Sequence, residues 1–143
     1  PKGIHYLAPM ARYIAFDWGK ARTGIAISDS NGIIASPHST VSSDELSKVV
    51  EKLHNEEPCA GFVVGVPGLI IGLNTDSSDG IEKFIKVLQA KFPSTPIHKI
   101  DEAQTSSEAL DALISGGMKK SKRREKGSID KVAAALILQR FLM

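Results

Sequence analysis

The chain has 143 residues, 42% of them hydrophobic and 24% charged, an ordinary globular mixture long enough for one core without disulfides or a structural metal. Its lone cysteine, Cys59, excludes an internal disulfide, no Cys/His cluster has zinc-ligand spacing, and no apolar run approaches the roughly 18 residues of a membrane span. A reducing, cytoplasmic setting without membrane association is therefore expected. The net charge of +2 is uneven: residues 119 to 126 carry six Lys/Arg and one Glu, a local +5, which leaves the remainder near −3 and points to a docking surface for a polyanion or to a solvated loop.

Residues 1–9 contain no secretory n-region or h-region, and Met10 fits a natural start, so they are expected to be a leader or disordered arm before one domain over 10–143. Arg12 to Asp17, Thr23 to Asp29 and Gly32 to Ser36 are predicted as three short strands, the last two joined through Asp29-Ser30-Asn31-Gly32, where Asn-Gly favours a tight hairpin. Ser42 and Glu45 have capping-box spacing, Val41 and Leu46 are placed for a hydrophobic staple, and Leu46, Val49, Val50 and Leu53 follow at helical intervals. Gly61 to Val66 is a continuous apolar run, as expected of a central strand covered on both faces.

Beyond a glycine-rich loop, Asp79 and Glu82 are placed to cap a helix with Ile81, Phe84, Ile85 and Leu88 on one stripe, ending near Pro93. Pro96 to Ile100 is the fifth strand. Thr105 and Glu108 cap a further helix that stops at Gly116-Gly117, and a last helix begins near Ser128, burying Ile129, Val132, Ala133, Leu136 and Ile137. Three antiparallel strands followed by alternating helices and strands predict an α/β fold, a mixed five-stranded sheet flanked by helices, an order that the RNase H-like fold shares with other α/β folds.

Chemistry gathers at acidic residues. Asp17 ends the first strand and leads into Trp18-Gly19-Lys20-Ala21-Arg22-Thr23-Gly24, a turn whose glycines let backbone approach an anion while Lys20 and Arg22 add charge-assisted contacts; alone, such an Asp serves equally as a turn acceptor. Asp101 and Glu102 close the fifth strand. Adjacent strand residues point to opposite faces, so one of the two shares a side with Asp17, and Asp101, nearer the strand, is favoured. Asp130 shares a helix side with Ala133, Ala134 and Ile137, a small-residue wall, although a first-turn acid complementing the helix dipole would look the same.

Three acidic positions from distant parts of the chain suit one hard-cation site, with Asp17, Asp101 and Asp130 as ligands to Mg²⁺ or Mn²⁺ and phosphate oxygens completing the shell. The four histidines lie at no motif spacing from an acid or nucleophile, and Cys59 reads as a structural thiol.

At these residues the chain resembles the YqgF/RuvX family, RNase H-like proteins described as Holliday-junction resolvases and as nucleases maturing the small-subunit ribosomal RNA precursor. The resemblance runs from about Arg12 to Leu142. Asp17 through Ala26 resembles the family's opening motif, Val63-Val64-Gly65-Val66-Pro67 its central strand and turn, and Ile129 through Gln139 its closing helix. The resemblance implies that Asp17, Asp101, Glu102 and Asp130 are the catalytic and metal-binding positions. It also implies that the basic segment Lys119, Lys120, Lys122, Arg123, Arg124 and Lys126 lies near the nucleic acid, and Lys20 and Arg22 of the first turn are expected to position phosphates with it.

Two departures stand out. The family's acidic pair is usually followed by Arg, whereas Ala103 and Gln104 follow here, and the loop Gly68 to Asp76 is longer and more apolar than the family's turn. The expected activity is metal-dependent hydrolysis of phosphodiester bonds in structured RNA or branched DNA, with ribosomal precursor particles as possible partners. A homodimer is expected if the substrate is a four-way junction, because its resolution calls for two symmetric sites. A non-catalytic ribosome-assembly module is the competing class, motivated by the missing arginine. A sugar-kinase-like phosphotransferase needs two such domains, and 143 residues supply one.

Overall fold

A computed structural model describes residues 12–67, 78–102 and 128–143. The expected leader, the 68–76 loop, the helix after Thr105 and the basic segment lie outside the described residues.

Five strands form one mixed sheet: β1 Tyr13–Asp17, β2 Arg22–Ser28, β3 Ala35–Ser42, β4 Gly61–Val66 and β5 Ile97–Asp101. The order across the sheet is β3-β2-β1-β4-β5, with β1-β2 and β2-β3 antiparallel and β1-β4 and β4-β5 parallel. This is the mixed sheet the element order predicts. The helices are α1 Leu46–Glu56, α2 Ser78–Lys91 and α3 Ser128–Leu142.

The sheet buries both faces, and alternation along each strand decides what lies on which. One face carries Ile14, Phe16, Ile25, Phe62 and Val64, packed against Leu46, Val50 and Leu53 of α1 and Ile81, Phe84, Ile85 and Leu88 of α2. The other carries Ala15, Ala26 and Val63 beneath Ala134, Ala135, Ile137 and Leu138 of α3. Each large apolar side chain withdrawn from water contributes about 1.5–3 kcal/mol. The first face holds most of that stabilisation, and the small residues of the second let α3 lie close to the backbone.

Several local expectations are corrected. The third strand starts at Ala35 instead of Gly32 and runs to Ser42. Asp29 to Ile34 makes a wider turn, in which the Asp29 carboxylate accepts from the amides of Ile33 and Ile34 at 2.8 Å each and Gly32 has φ 68°. Ile33 and Ile34 are 65% and 59% exposed. The polar edge strand has no apolar alternation to mark it.

The Ser42 capping box does not form. A 3-10 turn over Ser43–Glu45 precedes α1, and neither of the two carries a side-chain cap hydrogen bond at its start. The buried side of α3 is Ala133, Ala134, Ala135, Ile137 and Leu138, whereas Val132 and Leu136 are only half-buried. The predicted stripe is thus turned about the axis, because a helix that crosses the sheet closely presents its alanines to the strands.

No described helix is long and apolar enough to cross a membrane.

Candidate active site

The parallel strands β1, β4 and β5 end on the same edge of the sheet, and the N-terminus of α3 lies over that edge. Asp17 is the last residue of β1 and faces α3, as do Ala15 and Tyr13 at the same parity. On β5, His98 meets Tyr13 and Phe141 on the α3 side, and Ile100 packs into the α3 cluster. Glu102 has their parity. Its amide donates to Val66 O at 3.3 Å, which extends the ladder by one residue, and its side chain reaches the Asp17 carboxyl in a hydrogen bond.

The structure therefore brings Glu102, not the favoured Asp101, to Asp17. Asp101 falls on the other parity, with Lys99, which pairs with Glu82 of α2. The Asp101 backbone oxygen accepts from Arg140 at 3.3 Å, and Oδ1 is buried without a hydrogen-bond partner among the described residues. Asp101 acts on the pair through its charge, felt by Glu102.

Two carboxyls in contact cannot both ionise cheaply. Burial, then the hydrogen bond to Asp17, then the charges of Asp17 and Asp101 push Glu102 up to about 9. Burial is also the main cause that raises Asp17, opposed by the Glu102 hydrogen bond and assisted by the charge of Asp130. Both carboxyls are raised, and the pair shares a proton.

Asp130 enters from above. It lies in the first turn of α3, where the helix dipole favours an acid, and its carboxylate forms an ion pair with Arg22 Nε at the start of β2. Close approach is possible because Gly24, the antiparallel partner of Asp17, lacks a side chain: a Cβ there would lie 2.0 Å from Asp130 O and 2.3 Å from its carbonyl carbon. Gly65 gives the same clearance on β4, where a Cβ would lie 2.5 Å from Ile137 Cδ1 and 2.8 Å from Glu102 Oε2. Two glycines on the strands flanking β1 thus set the height of α3 and the position of Glu102.

The turn between β1 and β2 is tied down from the side. Ser43 Oγ donates to Gly19 O at 2.5 Å and lies 2.8 Å from Thr23 Oγ1, while the Ser43 amide donates to Ala21 O at 3.0 Å. These bonds fix the loop that carries Lys20 and Arg22, both exposed.

The residues and their order match the family model described as RuvX: Holliday junction resolvase over residues 11–143. The chain belongs to the RuvX family. Relatives from Christiangramia forsetii and Amoebophilus asiaticus, each named "Putative pre-16S rRNA nuclease", are 39% and 40% identical over 93% of this chain and 98% and 94% of their own. RuvC of T. thermophilus, solved in complex with a Holliday junction substrate, superposes with a TM-score of 0.53 at 14% identity, covering 89% of this chain and 91% of that one. That likeness establishes the RNase H-like fold. By its family the chain is a nuclease.

Within the RuvX chain, Asp17 and Glu102 meet, Asp130 is near enough for its charge to reach Asp17, and Arg22 is the ion-pair partner of Asp130 where a phosphate contact is expected. Lys119, Lys120, Lys122, Arg123, Arg124 and Lys126 lie outside the described residues, as do Ala103 and Gln104. The sequence did not single out Ser43 or the spacer role of Gly65. Ser43 stands one place beyond the serine with capping spacing, and Gly65 is hidden in an apolar run.

The donor chemistry fits a hard divalent cation, since all the candidate ligands are carboxylate oxygens and a cation can take the place of the proton shared by Asp17 and Glu102. Among the described residues no three acidic, His or Cys side chains are gathered closely enough to hold an ion. Asp17 and Glu102 meet, and Asp130 is engaged with Arg22.

Proposed function

We propose that this RuvX chain is a metal-dependent endonuclease that hydrolyses phosphodiester bonds in structured nucleic acid, either precursor ribosomal RNA or a four-way DNA junction. The observation that carries the proposal is the meeting of Asp17 and Glu102 across the end of β4, from β1 on one side and β5 on the other, with Asp130 close enough for its charge to act on Asp17.

Asp17, Glu102 and Asp130 would hold Mg²⁺ or Mn²⁺, with the buried Oδ1 of Asp101 supplying negative charge behind them. When bound, such an ion supplies Lewis-acid charge at the scissile phosphate and acidifies a water for attack. Lys20 and Arg22, on the turn fixed by Ser43, orient the phosphate backbone. The α3 N-terminus presents its dipole to the same anion. Gly24 and Gly65 let Asp130 and Glu102 approach the end of β1 closely, which supports their acting together with Asp17.

The test is cleavage of a precursor ribosomal RNA fragment and a four-way DNA junction with Mn²⁺, Mg²⁺ or EDTA. Cutting of one substrate, lost in EDTA, supports the proposal and names the substrate. Salt-sensitive binding of either without cutting under any metal identifies a ribosome-assembly module instead. If the junction is the substrate, the active species is expected to be a homodimer by light scattering.

A further inference from the structure

Arg22 stands where the sequence leads one to expect a phosphate contact, yet its guanidinium is committed to Asp130. The two residues are 108 positions apart, and their side chains are 48% and 23% exposed. Asp130 is held from beneath by its backbone, seated over Gly24, so the contact is not the accident of a free helix end. Of the carboxylates at this edge, Asp17 and Glu102 meet one another, and Asp130 is paired with an arginine.

We propose that Arg22 is an exchangeable counter-ion of the site. It neutralises Asp130 until a divalent cation binds, and then passes to a backbone phosphate of the nucleic acid. The proposal rests on the metal-dependent nuclease reading above and adds to it a coupling between metal and substrate that runs through one side chain.

The physical case is one of competition and linkage. Asp130 cannot give its full charge to a metal while it accepts from Arg22, so the ion pair opposes metal binding in the free protein. Once Asp130 is taken, the guanidinium is an unpaired cation beside a site that receives phosphate, and its planar fork suits phosphate oxygens. Metal and nucleic acid then each raise the other's affinity by the same factor. In this scheme Arg22 acts on the metal through Asp130 and on the nucleic acid directly.

The experiment is titration calorimetry of Mn²⁺ into wild type, Arg22→Ala and Arg22→Lys without nucleic acid. Binding of whichever substrate wild type retains, four-way junction or precursor RNA, is then measured in Ca²⁺ and in EDTA. Arg22→Ala is expected to bind Mn²⁺ about two- to fivefold more tightly than wild type, the range a half-exposed ion pair supports, with Arg22→Lys between them. The alanine variant is expected to weaken nucleic-acid binding in Ca²⁺ and to leave it nearly unchanged in EDTA.

A residue that only holds Asp130 in place gives the opposite sign: Arg22→Ala then binds Mn²⁺ more weakly, or equally, and the exchange is overturned although wild type still binds metal. If wild type itself binds no Mn²⁺, the metal-dependent reading fails first and the exchange fails with it. Unfolding curves of each variant in EDTA separate either result from loss of the fold.

Discussion

Replacing Gly24 with alanine tests the contact on which the position of Asp130 depends. The added Cβ would lie 2.0 Å from the Asp130 carbonyl oxygen, 2.3 Å from its carbon and 2.8 Å from the Lys131 nitrogen, whereas real Cβ contacts essentially never fall below 3.0 Å. All three neighbours are backbone, so no side chain can turn aside. The N-terminus of α3 and the strand must separate by about 1 Å or more. Overpacking of this kind costs about 1–3 kcal/mol, or about 4–12 °C in melting temperature for a domain of this length.

Catalysis should suffer more than stability. A misplacement of about 1 Å at a reacting group costs on the order of 10²-fold in rate, and here it falls on a carboxylate of the site. The assay is cleavage per folded molecule, with the folded fraction taken from unfolding curves. Gly32→Ala is the control: it strains the turn at φ 68°, far from the site, and is expected to lower stability while leaving cleavage per folded molecule unchanged. A Gly24→Ala protein that melts and cuts like wild type would refute the close seating of α3 on β2.

The carboxyl pair predicts a pH dependence. Glu102 titrates near 4.5 when unfolded and near 9 when folded, so its stabilising contribution is complete below 4.5 and is lost as pH rises toward 9. Glu102→Gln, which mimics the protonated acid, should therefore match wild type near pH 5 in EDTA and exceed it near pH 8.5. The gain is on the order of 2 kcal/mol after solvent screening, and urea unfolding at the two pH values measures it; a difference that does not change with pH contradicts the shared proton. Ser43→Ala removes the bonds to Gly19 and Thr23 and should cost about 0.5–1.5 kcal/mol in unfolding free energy. It should also weaken nucleic-acid binding, because the turn bearing Lys20 and Arg22 loses its tie.

How far the fold could be read beforehand depended on what each segment buries. Gly61–Val66 was legible residue for residue, because a strand covered on both faces must be apolar throughout. Ala35–Ser42 was not, since an edge strand made of serine, threonine, histidine and proline satisfies its pleat without a hydrophobic period. On α3, periodicity located the helix, but the buried side turned on which residues are small, and the alanines won over Val132 and Leu136.

The positions of the candidate acids were legible in part. Asp17 and Asp130 lie where strand end and helix side predicted. Between Asp101 and Glu102, closeness to the strand misled. Parity decides, and Ile100 packing toward α3 sends Glu102 to the same side. The commitment of Arg22 to Asp130 could not be read from spacing, because it depends on how low α3 sits over Gly24.

The most direct test of the central claim is Mn²⁺-dependent cleavage by wild type beside Asp17→Asn, with nucleic-acid binding measured on both. Asp17 meets Glu102 and feels the charge of Asp130. The account predicts that cleavage is abolished in the variant and in EDTA while binding stays within a few-fold of wild type. Undiminished cutting by Asp17→Asn would contradict it.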